Sequence, residues 1–292
     1  MIWWMACAAP DPRPDLDAPL ACAPGCARAE SARAAWSAGV RWLTRVTADP
    51  SVPVSVDLYV ALAPTARRFR SAALDQLLVQ LRDRADRPGD PRRRAWDPSA
   101  RLAENPSASW SAAPGATLHP NRALVEALYC PEHGMRPETV RWLCEDWRDA
   151  GGPASAHAAW FLSLAVGQGC TPRSETCLDA LVTELVTAAH AEPAPVGTED
   201  RDRLAEQLLF ARLGGAPPAT LGAEVDQLVA SQRQDGAFAA PADPESRWAV
   251  VHATVASVWA LSEWLAADQQ PSSSAKSSKS SGSSGHSSVS SR

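Results

Sequence analysis

Leu228-Val-Ala-Ser-Gln232-Arg-Gln-Asp235-Gly236-Ala-Phe238, resumed at Arg247-Trp-Ala-Val-Val-His252-Ala-Thr-Val-Ala-Ser-Val-Trp259-Ala-Leu261, is the stretch on which the fold turns. Its first part reads as a helix end running into an Asp-Gly turn, where glycine supplies a positive φ without a Cβ clash, followed by an aromatic residue. The second part is an apolar helix with almost no charge, the pattern of a helix surrounded by protein. An exposed helix end, a tight turn and a buried helix make one helical hairpin.

Working outward, the same unit recurs. Between 30 and 265 nothing alternates with period two, and Ala, Leu, Val and Trp cluster at three- and four-residue spacing between Gly and Pro punctuation. Segments 30–46, 71–85, 137–149, 175–190 and 221–233 are amphipathic with charged faces. Each is followed by a segment poorer in charge or richer in Ala: 55–65, 120–129, 154–166, 201–213 and 247–264. Pro137 with Glu138 fits a helix first turn, and Gly151-Gly152 and Gly214-Gly215 supply helix ends. The charged helices recur at intervals of about 45 residues with one long insertion, so the chain is expected to be all-α, with about five hairpins burying their apolar stripes against neighbours. Such repeats close in two ways, as an open solenoid or as a ring with the low-charge helices inside.

The stretch around Gln232, Asp235, Gly236 and Phe238 resembles the Q-x-x-D-G-x-[WF] motif of the α/α-toroid superfamily, which holds terpenoid cyclases and protein prenyltransferase β subunits. His252-Ala-Thr254 and the apolar run after it are similar to the helix that follows the motif there. Ala154-Ser-Ala-His157-Ala-Ala-Trp160 resembles a weaker second copy. The resemblance implies an α/α toroid, here about five hairpins and an incomplete or small ring. The glutamine would tie one helix end to the next helix start, and the aromatic would pack between repeats. It also implies a central funnel lined by the starts of the inner helices, where function has to be sought.

Prenyltransferases of this superfamily hold zinc with an Asp-x-Cys at one inner-helix start and a His at a later one. His252 stands where that His would stand, and the preceding inner helix opens with Glu199-Asp200-Arg201-Asp202, so an Asp replaces the thiolate. Asp200, Asp202 and His252 are therefore the candidate catalytic groups or metal ligands, with zinc the one cofactor that the resemblance leaves open. Cyclases protonate an alkene with an Asp-x-Asp-Asp cluster; Asp200-Arg-Asp202 supplies two acids and an Arg expected to keep both ionised. The alternative for Asp200 and Asp202 is first-turn dipole complementation, and for His252 a hydrogen-bonded core histidine. Glu175-Thr-Cys177 spells an acid-x-Cys pair but falls at the start of an outer helix. Cys130-x-x-His133 has metal-like spacing, for which only Cys22 and Cys26 could complete a set. His119 is the remaining histidine placed near a cavity. No Gly-rich phosphate loop, G-x-S-x-G elbow, H-E-x-x-H pair or thioester signature occurs.

Binding has its own candidates. Twelve Trp against four Phe and two Tyr is an unusual balance, and His157, Trp160, Trp248 and Trp259 fall on inner helices, either as funnel lining or as core. The insertion 87–116 carries Trp96, Trp110 and Arg92-Arg93-Arg94, a lid or a disordered loop.

The ends set the context. Segment 271–292 is a Ser-rich stretch that cannot offset its ordering entropy and reads as disordered. Lys276 and Lys279 are the only lysines, and the Arg, Ala and Pro usage of the rest fits a GC-rich bacterial genome. The net charge is −5; without Lys276, Lys279 and Arg292, 25 basic residues face 33 acidic ones, a net of −8. That balance disfavours duplex nucleic acid as a partner. Residues 1–29 read as a signal-like stub and a Pro-rich disordered linker ahead of the domain at 30–270. Trp4-Met-Ala-Cys7 partly matches the end of a bacterial lipoprotein signal. It points to a Cys7-lipidated envelope protein with a membrane tether, or else to a chance Cys in a cytoplasmic one. The six other cysteines suit an oxidising compartment, with Cys22/Cys26 and Cys170/Cys177 the close pairs expected to join first, or are small buried thiols in the cytosol. The longest nearly apolar run, Trp248 to Leu261, is 14 residues, short of the roughly 18–20 of a bilayer crossing.

The expected function is a toroid-like scaffold or binding protein, non-catalytic, that holds an apolar small molecule or peptide in its funnel. The alternatives are a prenyltransferase- or cyclase-like enzyme and a helical-repeat interaction module.

Overall fold

Each of the ten segments read as helical contains a helix in the computed structural model, which describes residues 13, 15–18, 27–54, 56–85, 90, 92, 94, 120–240 and 247–268. The five charged helices are α1 (Ala27–Thr47), α3 (Ala72–Ala85), α5 (Pro137–Trp142) continuing into α6 (Arg148–Ala150), α8 (Leu178–Ala191) and α10 (Gly222–Ala230). Alternating with them are α2 (Val56–Arg68), α4 (Pro120–His133), α7 (Gly152–Gly167), α9 (Thr198–Leu213) and α11 (Arg247–Asp268). Among the described residues no strand occurs, only an isolated bridge between Asp15 and Arg70. The fold is all-α. The expectations placed on segments 1–12, 19–26, 95–119 and 271–292, among them those on Cys7, Cys22, Cys26, Trp96, Trp110 and His119, lie outside the described residues.

The helices of this second series pack on one another in the order α4, α7, α9, α11, α2. The charged helices lie against them: α8 covers α7 and α9, α10 covers α9, and α3 covers α2. α11 and the Leu204–Ala211 part of α9 are buried on all sides, so neither shows an apolar face set against a solvent face. α11 extends further than the apolar run in the sequence. It has 22 residues, and by length and composition it could cross a bilayer, yet it is buried inside the protein.

The first helix meets the last. α1 packs against α11 and α10, and Gly39 makes the approach close: a Cβ there would fall 2.6 Å from Val258 Cγ2. Trp36 donates its indole N–H to Ser262 Oγ at 2.9 Å. The Gln232–Phe238 turn pins the same seam. Gln232 Nε2 donates to the carbonyls of Ala35 in α1 (2.8 Å) and Gly236 (2.9 Å), and Asp235 Oδ1 accepts from the Ala237 N–H. Gly236 has φ +100° and sits against the Ala38 carbonyl, so no side chain fits. Phe238 is fully buried, and its N–H donates to Thr254 Oγ1 in α11. The link to the next helix is thus Thr254, while the glutamine reaches across to the first hairpin.

Two local readings differ from the structure. Segment 137–149 is not one regular helix: Leu143–Trp147 widens into a π turn, which brings Trp142 and Trp147 into a stack 4.8 Å apart, a pairing that five-residue spacing does not give on an α-helix. The cysteines cross-pair. Cys130 joins Cys170, and Cys144 joins Cys177, so the expected Cys170/Cys177 pair does not form. Sequence proximity misled because Cys170 follows α7 and lies beside the end of its neighbour α4, whereas Cys177, at the start of α8, lies beside the π turn.

Candidate functional site

Helices α2, α4, α7, α9 and α11 share one cavity of about 480 Å³, within the range of small-molecule sites. α2 gives it Leu58, Val60 and Ala61, and α4 gives Leu124. α7 gives His157, Trp160 and Phe161; α9 gives Asp202, Glu206, Leu209 and Phe210; and α11 gives Trp248, His252, Val255 and Trp259. Pro120, Asn121 and the exposed Glu199 also line it. Each residue expected to line a funnel, His157, Trp160, Trp248 and Trp259, is there, and so are Asp202 and His252.

One wall is aromatic. Trp160 and Phe210 stack at 5.4 Å, and Trp259 meets both edge-on at 5.4 and 6.1 Å. Phe161 continues the wall toward Trp147, 5.8 Å away, so the Trp142–Trp147 stack adjoins the cavity lining. Offset and edge-on aromatic pairs of this kind are worth about 0.5–1.5 kcal/mol each beyond their buried area, which keeps the wall rigid.

The polar groups face one another across the α7–α9–α11 seam. Asp202 and Glu206 are four residues apart on α9 and share a face. His252 Nδ1 stands 3.0 Å from both oxygens of Asp202, a geometry in which the ring N–H donates to the carboxylate. His157 Nδ1 donates to the Pro153 carbonyl at 2.7 Å, which directs Nε2 toward Glu206 Oε1 at 3.7 Å, beyond hydrogen-bond length. Glu206 is only 5% exposed. Burial pushes its carboxyl above the usual range; His157 opposes that, Asp202 adds to it, and His252 opposes it.

Asp200 is not part of this cluster. It occupies the first turn of α9, where Oδ2 accepts the N–H groups of Gly197 (2.8 Å) and Val196 (3.3 Å) while Arg203 pairs with Oδ1. Those backbone hydrogen bonds foremost, with Arg203, hold its carboxyl below the usual range. Arg201 does not sit between the two acids as their shared cation. It turns to the carbonyls of Ser231, Val196 and Gly197, fastening α9 to the end of α10.

Ligand atoms of Asp202, Glu206 and His252 lie within 4.8 Å of one another. A zinc tetrahedron with bonds of about 2.0–2.2 Å has edges near ~3.4 Å, so the three side chains would have to close in, and no thiolate stands with them. A prenyltransferase-type zinc site does not fit this set. Cys177 and Cys130 are both in disulfides, which removes the Glu175-x-Cys177 and Cys130-x-x-His133 ligand pairs. In the insertion, Arg94 pairs with Glu132 at 2.8 Å and lies over the Tyr129 ring, and Arg92 pairs with Asp90.

Glu206 and Phe210 are site residues that the sequence reading passed over. Their signal was present: Asp202, Glu206 and Phe210 are spaced four apart, so one stripe of α9 carries two acids and an aromatic toward the same side. Compared with known proteins, the chain matches no family model, no curated protein and no solved structure.

Proposed function

We propose that this chain is a small α/α-toroid-like binding protein that takes an apolar small molecule or the apolar side chains of a peptide into the cavity lined by its five inner helices. The observation that carries this reading is the cavity itself: α2, α4, α7, α9 and α11 all contribute to it, and its lining is aromatic and aliphatic apart from Asn121, Glu199 and the Asp202–Glu206–His cluster. The contacts of α11 with both α2 and α1 support a closed arrangement over an open stack of hairpins, whose first and last members would stand apart. That weighs against the helical-repeat interaction module. The Cys130–Cys170 and Cys144–Cys177 disulfides support an oxidising compartment, in keeping with the bacterial envelope reading and a Cys7 tether.

One observation favours a second reading, an enzyme resembling cyclases. Glu206 is a buried acid whose carboxyl burial pushes upward, in an apolar cavity, which is what protonating an alkene requires. In that reading Glu206, rather than Asp200, is the acid.

The test is a titration with the neutral fluorophore N-phenyl-1-naphthylamine, followed through the tryptophans, alongside native mass spectrometry of protein from its own host. Saturable one-to-one binding, lost when Ala61→Phe fills the cavity without changing the circular dichroism, is the expected result. Binding that survives Ala61→Phe, or no binding and no retained mass, overturns the reading. A retained ligand that turns over, with turnover lost in Glu206→Gln, selects the enzyme.

A further inference from the structure

We propose that the cavity selects an organic cation, an amine or quaternary ammonium carrying an apolar body, with the charged head beside Glu206 and Asp202 and the body against the Trp160–Phe210 wall. This rests on the cavity reading above and names its ligand class. Three observations converge on it.

Charge comes first. Among the described residues that line the cavity there are three carboxylates, Glu199, Asp202 and Glu206, and no Lys or Arg. Elsewhere in the fold a buried acid meets an arginine directly: Glu263 is bonded by Arg68 at 2.8 Å. At the cavity the counterweights are histidines: His252 is hydrogen-bonded to Asp202, and His157 gives its Nδ1–H to the Pro153 carbonyl.

Glu206 is the second observation. It is more than nine-tenths buried, no Lys or Arg lines the cavity beside it, and His157 Nε2 stands 3.7 Å from its Oε1, too long for a hydrogen bond. A buried carboxylate in that condition is costly until a cation arrives, and a cation placed there removes the cost. The third is the wall. Indole and phenyl faces attract cations through their quadrupole, and desolvated sites strengthen the attraction. A bare divalent ion would satisfy the acids and leave some 480 Å³ of apolar lining unused, whereas an alkylammonium engages both. Carboxylates also repel an anionic head, so a fatty acid or a phosphate ester is selected against.

The experiment is a calorimetric comparison of three probes of one chain length, octyltrimethylammonium, 1-octanol and octanoate, with zinc alone as a fourth titration. The cation is expected to bind at least tenfold tighter than the alcohol, with the anion weakest. In Glu206→Gln the cation-to-alcohol ratio is expected to collapse to within about threefold; should that variant fail to fold, Asp202→Asn provides the same readout. Equal binding of cation and alcohol, or a preference untouched by either substitution, overturns the proposal and leaves the apolar cavity standing. Binding of none of the organic probes overturns both. Saturation by one zinc ion per chain, with the cation displaced, overturns it in favour of a metal site.

Discussion

Glu206 and Glu263 are both buried acids on helices that pack against each other, and they differ in what meets them. Glu263, on α11, receives both its oxygens' share of Arg68 at 2.8–2.9 Å and accepts the indole N–H of Trp259 at 3.3 Å, and Arg212 adds positive potential. Glu206, on α9, has a histidine at 3.7 Å and an open side toward the cavity. Burial pushes both carboxyls upward, so the cost of desolvation is common to the two. The difference is that the α2–α11 seam supplies its own cation and the cavity does not. One acid is finished by folding, and the other is finished by whatever enters.

Removing the cation from the finished site should have the largest effect. Arg68→Ala strands Glu263; breaking a buried pair costs about 3–5 kcal/mol, and because Arg68 is half exposed about 2 kcal/mol is expected. Glu263 already has a raised folded-state pKa, and losing Arg68 raises it further. The loss should therefore be full at pH 8 and shrink on acidification as the carboxyl takes up a proton. Denaturant unfolding at pH 8 and pH 5 checks this; a loss equal at both would mean that Arg68 acts by packing alone. At the unfinished site the sign reverses. Glu206 has a raised folded pKa, so its contribution is fully present below its ordinary value of 4.5 and is lost as pH rises through the folded value. Glu206→Gln keeps the shape without the charge, and should stabilise the protein by about 1 kcal/mol at pH 8 and by almost nothing at pH 4. A destabilised Gln variant at pH 8 would show that Glu206 is as well satisfied as Glu263.

How much of this the sequence disclosed follows from which interactions are local. Helix existence was legible throughout, because the three- and four-residue apolar spacing and signals such as Pro137 and Gly151-Gly152 act within a few residues. The turn at Asp235-Gly236 was legible for the same reason, since the φ of +100° is a demand on one residue. Which residues would meet across helices was less so. Trp160, Trp248, Trp259, His157 and His252 could be assigned to inner helices and to a common hollow, but the role of Asp200 depended on where α9 starts. The helix begins at Thr198, which turns Asp200 back onto the Gly197 N–H and moves the paired acids to Asp202 and Glu206. The disulfides were least legible. Their partners lie 40 and 33 residues apart, and nothing local separates Cys130–Cys170 from Cys170–Cys177.

The smallest effect is also the one that most sharply separates the two acids. The groups facing Glu206 are Asp202 on its own helix, His157 from α7 and His252 from α11. In the free protein a carboxyl with a raised pKa keeps its proton to a higher pH than an ordinary one. A cation beside it favours the carboxylate and lowers that pKa, so binding of octyltrimethylammonium should release a fraction of one proton, and affinity should rise with pH through the raised value. Calorimetry in two buffers of different ionisation enthalpy at pH 5.5 measures the release, which should vanish in Glu206→Gln. Glu263 has a raised pKa too, but it lies against Arg68 and does not line the cavity, so binding should not shift it and Glu263→Gln should leave the release unchanged. Proton uptake instead of release would mean that binding buries Glu206 more deeply without setting the cationic head beside it.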